Sequence, residues 1–147
     1  MKTYRIGVIG FAHMHVLDLI KTFVACKDRV RFVGCYDLPP KVPTITNQKA
    51  NRYQNMQEAI ELTGMEKLHS VSAVLNESPD LVIVCTENAR HAEVCEKILR
   101  RGIHVLVEKP MAPTLQQALF MVRAAELGGA KLIVNWPSSW MAAIRTG

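Results

Sequence analysis

Short apolar runs alternate with segments of helical spacing along almost the whole chain, and this alternation constrains the fold more than any other feature. "YRIGVI" (4–9), "VRFVGCY" (30–36), "DLVIVCT" (80–86), "IHVLV" (103–107) and "KLIVN" (131–135) read as strands. Between them, Leu17, Ile20, Phe23 and Val24 recur at helical spacing, as do Val94, Cys95, Ile98 and Leu99, and then Leu115, Ala118, Leu119 and Val122. Gly102 and Gly128-Gly129 stop the second and third of these helices. "MQEAIELTG" (56–64) predicts a short helix closed by Gly64, followed by a weak edge strand near "KLHSV" (67–71). Residues 38–55 are polar and proline-rich, which predicts a surface loop.

Runs such as "LVIVC" are apolar at every position, as in strands covered on both faces. Strand-helix alternation with such strands predicts an α/β fold: a Rossmann-type doubly wound parallel sheet in three layers. About six strands are expected, in the order 3-2-1-4-5-6, with residues 1–147 forming one domain. No apolar run is long enough to span a bilayer. The N-terminus lacks a small-residue cleavage site after its apolar stretch, which predicts a cytoplasmic protein. Cys26, Cys35, Cys85 and Cys95 have no CxxC spacing and read as small hydrophobes, not as a disulfide or zinc framework. The net charge of +5 comes from scattered Lys and Arg, with one adjacent pair at 100–101 and no aromatic RNA-binding signature, so no nucleic-acid partner is expected.

In sheets of this class ligands lie at the carboxyl ends of the strands, so the residues just after each strand are the candidates. After the first strand, "GVIGFAHMH" offers a turn of Gly10, Phe11, Ala12, His13 and Met14 for a pyrophosphate. The places of G-x-G-x-x-G read Gly10, Ala12 and His15, so one glycine of three remains; an ordinary strand-helix turn is the alternative. The N–H groups and positive dipole end of the helix that follows suit a phosphate. Asp37, at the end of the second strand, can accept from ribose hydroxyls and would repel a 2′-phosphate, which predicts NAD over NADP; Lys41, four residues on, would oppose that preference. His13 and His15 form an HxH pair without a convincing third ligand, so no metal site is expected. Thr86, Asn88 and His91 in "TENARH" could bond a ribose or phosphate, or cap a helix.

"EKP" after "GIHVLV", with "T-x-N-x-x-H" upstream of it, resembles the Gfo/Idh/MocA oxidoreductase family over essentially all 147 residues. The resemblance implies that Glu108 and Lys109 lie beside the nicotinamide ribose and ring, with Lys109 the catalytic group that reaches the substrate. It implies also that Pro110 shapes the turn, with a cis peptide as one form it takes. The implied activity is hydride transfer between NAD(P) and a hydroxyl or carbonyl carbon of a sugar or cyclic polyol. Glu87 departs from the family's usual proline and adds negative charge near the pyrophosphate path. Family members continue into a second α/β domain that binds substrate and often forms the homo-oligomer interface. The chain is therefore expected to be the cofactor half, inactive alone, with Trp136 and Trp140 at a domain interface, a pocket wall or in the local core. A non-catalytic dinucleotide-binding regulatory or structural protein is the alternative.

Overall fold

The computed structural model describes residues 2–26, 28–40 and 51–136. Strands β1 (Tyr4–Ile9), β2 (Val30–Tyr36), β3 (Leu81–Val84), β4 (His104–Glu108) and β5 (Leu132–Asn135) form one parallel sheet in the order β2-β1-β3-β4-β5. The winding reverses between β1 and β3, and the loops leaving these two strands therefore diverge to opposite faces of the sheet and open a crevice at their carboxyl ends.

The unbroken apolar runs are explained by two cores, one on each face. Ile9, Val82, Val84, Val105 and Val107 pack with buried residues of α3 (Val71–Asn76), α4 (His91–Leu99) and α5 (Leu115–Gly128). Ile6, Val8, Ile83, Cys85 and Leu106 pack on the other face with α1 (Val16–Val24) and α2 (Arg52–Thr63). This is the three-layer, doubly wound arrangement that the alternation predicts. Among the described residues no helix is long and apolar enough to cross a membrane.

Two expectations need correction. Among the described residues the sheet has five strands, not about six. The segment near "KLHSV" contributes a single bridge from Lys67 to Cys35, on the β2 edge where a third strand would lie. Cys35 donates its N–H to the Glu66 carbonyl at 2.8 Å and accepts from Leu68 N–H at 2.8 Å. The extended chain then ends because the Ser70 hydroxyl accepts from Ala73 N–H at 3.0 Å and starts α3. Second, α2 begins at Arg52, inside the expected loop: the Asn51 side chain caps it by accepting from Tyr53 N–H at 2.9 Å.

α5 lies where its apolar spacing predicts. Leu115, Leu119 and Val122 are 76%, 52% and 42% exposed, while Met121, Ala124 and Ala125 are buried. The helix approaches the end of α4 almost to backbone contact: a Cβ on Gly128 would lie 1.8 Å from the Leu99 carbonyl oxygen. Small residues on the inward face permit that approach, and the larger ones are left outside.

Candidate functional site

The turn after β1 is built around Gly10. Its φ is +88°, and an added Cβ would lie 2.5 Å from Thr86 N and 2.7 Å from the Cys85 carbonyl carbon. Glycine is thus required by conformation and by the closeness of the β3 exit. Neighbouring bonds fix the turn: Gly10 N–H donates to the Tyr36 carbonyl at 2.9 Å, and Ala12 N–H to the Cys85 carbonyl at 3.0 Å. The Phe11 side chain is fully buried in the α1–α2 core, so only its backbone belongs to the turn. Ala12 and Met14 are exposed, and His13 and His15 are partly buried with their rings stacked 4.9 Å apart. His15 is the N-cap of α1 but supplies no side-chain cap; Val16 N–H donates to the His13 carbonyl at 3.3 Å, and the rest of the first turn has no side-chain cap from His15. A tight glycine turn followed by helical N–H groups without a side-chain cap fits a pyrophosphate. Among the described residues no three His, Cys, Asp or Glu side chains gather as a metal site.

At the end of β2, Asp37 is gripped from several directions. Phe11 N–H donates to its Oδ1 at 3.1 Å. Arg52, the first residue of α2, donates Nε to Oδ2 and Nη2 to Oδ1, both at 2.6 Å. The same guanidinium reaches Glu87 Oε1 at 2.6 Å through Nη1, and the Leu38 carbonyl at 2.7 Å through Nη2. Asp37 first, and then Glu87, hold Arg52 firmly in its charged form against the opposing effect of burial. Asn55, one turn further along α2, donates to the Phe11 carbonyl at 3.2 Å and locks the helix to the glycine turn. The Glu87 charge that departs from the family pattern therefore has a partner. Lys41 and Trp140 lie outside the described residues, and Trp136 is 54% exposed.

The third group forms where β4 and β5 end side by side, with Glu108 in register with Asn135. Glu108 is fully buried. Asn135 Nδ2 donates to Glu108 Oε1, and Lys109 N–H donates to Oε2 at 3.2 Å. His13 Nδ1 stands 3.6 Å from Oε2 and accepts from His15 N–H at 3.3 Å. Burial holds the His13 imidazole below its ordinary range; Glu108 pulls the other way, and His15, Lys109 and His91 add to the depression. A neutral His13 is also the form whose Nδ1 lone pair can receive the His15 N–H. Lys109 is partly buried and Pro110 exposed, joined by a cis peptide.

Of the "TENARH" residues, Thr86 is buried against Gly10, and its hydroxyl reaches the Glu87 carbonyl at 3.3 Å. Asn88 is exposed, in a 3-10 turn, Asn88–Arg90, that leads into α4. His91 is fully buried beneath the site. Its Nδ1 faces the Pro110 and Met111 carbonyls at 3.0 and 3.3 Å, and its Nε2 faces the Thr86 carbonyl at 3.2 Å. It braces the Lys109–Pro110 turn against the end of β3.

The structure thus brings Gly10, Phe11, Ala12, His13, Met14, Asp37, Thr86, Glu108 and Lys109 to one end of the sheet, and adds Arg52, Asn55 and Asn135, which sequence reasoning missed. Asn135 ends "KLIVN" as Glu108 ends its own strand, and that parallel could have marked it. Arg52 and Asn55 fall in or beside a stretch that reads only as polar loop.

Residues 4–136 match an oxidoreductase family described as an NAD-binding Rossmann fold. The chain is 32% identical over 138 residues to 1-carboxy-3-chloro-3,4-dihydroxycyclohexa-1,5-diene dehydrogenase of Comamonas testosteroni, covering 92% of this chain and 31% of that protein. It is 32% identical over 127 residues to glucose-6-phosphate 3-dehydrogenase of Bacillus subtilis, covering 83% of this chain and 30% of that one. Among solved structures, the WlbA dehydrogenase of Chromobacterium violaceum, in complex with NADH and UDP-GlcNAcA, superposes with a TM-score of 0.81 at 22% identity, covering 99% of this chain and 39% of that one; this likeness establishes the fold. The chain spans about a third of the length of the curated relatives it matches. It belongs to the Gfo/Idh/MocA oxidoreductase family, as an NAD-binding Rossmann domain.

Proposed function

We propose that the protein is an NAD(P)(H)-dependent dehydrogenase acting on a hydroxyl, or the matching carbonyl, of a sugar or cyclic polyol. The observation that carries this reading is the corner Glu108-Lys109-Pro110. A fully buried carboxylate at the end of a core strand is costly unless hydrogen-bonded, and this one meets Asn135 and the Lys109 N–H. The bonds fix the corner from which Lys109 extends, and this supports the reading. Names among the relatives, such as glucose-6-phosphate 3-dehydrogenase and D-apiose dehydrogenase, support the substrate class.

In this reading the N–H groups at the start of α1 hold the pyrophosphate, Asp37 faces the adenosine ribose, and Glu108 lies beside the nicotinamide ribose. The bound dinucleotide supplies the hydride donor or acceptor. Lys109 binds the substrate oxygen and stabilises charge developing on it, while His91, through the Pro110 carbonyl, keeps the lysine's turn in place. A second α/β domain supplies the proton-transfer base, substrate contacts and oligomer interface, and residues 1–147 alone turn nothing over.

The test is Lys109→Ala in the full-length protein, with NADH titration, thermal unfolding and kinetics on a panel of sugars and inositols. Losing one positioned polar contact at the reacting centre lowers kcat/KM on the order of 10²- to 10³-fold, about 3 to 4 kcal/mol. Melting and NADH affinity should stay close to wild type. NADH binding with no turnover on any polyol would favour the regulatory alternative, and unchanged kinetics would remove Lys109 from the mechanism.

A further inference from the structure

We propose that Arg52 sets which dinucleotide the domain accepts: by engaging Asp37 it converts a carboxylate that would select NAD(H) into a ribose-end site that also admits the 2′-phosphate of NADP(H). The inference rests on the reading above that the crevice holds a nicotinamide dinucleotide.

A solitary carboxylate at the end of β2 accepts from the ribose hydroxyls and repels a 2′-phosphate. Asp37 is not solitary. Both of its oxygens lie in the fork of the Arg52 guanidinium at 2.6 Å, and Oδ1 also accepts from Phe11 N–H. Three of about four acceptor positions of the carboxylate are thus taken within the protein. The pair is well shielded, with side chains 15% and 14% exposed, so solvent screens it far less than a surface ion pair. Seen from the crevice, Asp37 and Arg52 together are close to neutral. Glu87, held by the same guanidinium at 2.6 Å, brings the trio to one net negative charge instead of two.

The fork serves either outcome. With NAD(H), Arg52 stays on Asp37, and a ribose hydroxyl takes the remaining acceptor position. With NADP(H), the 2′-phosphate competes with Asp37 for a guanidinium whose geometry suits both anions. Arg52 is placed for this by docking of the α2 start: Asn51 caps the helix, and Asn55 bonds the Phe11 carbonyl of the glycine turn. A residue that merely ties α2 to the sheet would also hold Asp37, but its loss would weaken both dinucleotides alike.

The ratio of the two affinities therefore decides. NADH and NADPH, and the fragments 5′-AMP and 2′-AMP, are titrated by calorimetry into full-length wild type, Arg52→Ala, Arg52→Gln and Asp37→Asn. Wild type should bind NADH and NADPH within roughly ten-fold of each other. Either Arg52 substitution should weaken NADPH and 2′-AMP by about ten-fold or more while moving NADH and 5′-AMP by less than about three-fold. Asp37→Asn should shift the ratio towards NADPH. Arg52→Gln keeps length and stem and gives the same readout if Arg52→Ala does not fold. An NADH-to-NADPH ratio unchanged by loss of Arg52 overturns the inference and leaves the dinucleotide reading standing. Failure of both dinucleotides to bind wild type overturns the two together.

Discussion

Replacing Gly10 with alanine tests whether the close fit between the β1 turn and the β3 exit sustains the site. Two costs can be worked from the structure. An L-residue at φ +88° leaves its preferred region, at about 1 to 2 kcal/mol. The new methyl would also stand 2.5 Å from Thr86 N, 2.6 Å from Thr86 Cγ2 and 2.7 Å from the Cys85 carbonyl carbon. Two of these three are backbone atoms, and they cannot drift freely. Cys85 N–H donates to the Ile9 carbonyl at 2.9 Å, and the Cys85 carbonyl accepts from Ala12 at 3.0 Å, so the strand exit and the turn must separate together. Overpacking of this kind costs about 1 to 3 kcal/mol, giving about 2 to 5 kcal/mol in all. That is a large part of the 5 to 15 kcal/mol that typically holds a domain together. The assay is urea unfolding at 25 °C, in which the midpoint should fall with the slope unchanged. Gly64→Ala is the internal control. Its φ is +67°, but nothing lies within 4 Å of the added Cβ, so only the backbone cost of about 1 to 2 kcal/mol remains. NADH affinity should drop in Gly10→Ala and hold in Gly64→Ala. Equal losses in the two variants would refute the argument from contact.

Two further outcomes follow from burial. Burial raises the Cys35 thiol to about 11 and pushes Cys85 and Cys95 well above their ordinary range, whereas Cys26 is exposed; iodoacetamide at neutral pH should therefore label Cys26 alone in the native protein and all four after unfolding, as read by peptide mass spectrometry. Rapid native labelling of Cys85 would mean that the sheet opens readily. Because His13 is held below its ordinary 6.5, the unfolded chain takes up a proton in a range where the folded chain does not, so this residue's contribution to stability falls as pH drops below about 6.5 and levels off below the folded value. Thermal unfolding from pH 7.5 to 5 should show a shallower acid slope in His13→Gln than in wild type, and parallel slopes would refute the assignment.

Much of the fold is legible in the sequence because a parallel sheet covered on both faces needs unbroken apolar runs, and "LVIVC" and "HVLV" supply them. The parts that were missed have physical reasons. α3 covers six residues, too few for periodicity to register, and a serine cap decides its start. The inward face of α5 was hidden because its contact with α4 selects small residues, so the larger apolar side chains fell on the solvent side. Glu108 and Lys109 could be found because charged residues at the end of an apolar strand need an explanation. Arg52 could not. Its partners Asp37 and Glu87 lie on other loops, and only the docking of α2 brings the three together.

Asp37 and Glu108, at the ends of β2 and β4, are satisfied in different ways, and the difference bears on what each end of the crevice can recognise. Asp37 is met by a full positive charge in a bidentate fork, which leaves the pair close to neutral, with Glu87 on the same guanidinium carrying the remaining negative charge. Glu108 is met by neutral donors, the Asn135 amide and the Lys109 N–H, with His13 held mostly neutral beside it. Neutral donors orient a carboxylate without cancelling it, so selectivity among anionic groups can be altered at the first end by moving one guanidinium. At the second end the same change would need the register of β4 and β5 itself to shift, because Glu108 and Asn135 are paired residues of adjacent strands. On the proposed reading of the crevice, substitutions around Arg52 should change dinucleotide preference while the end at Glu108 stays fixed by the sheet.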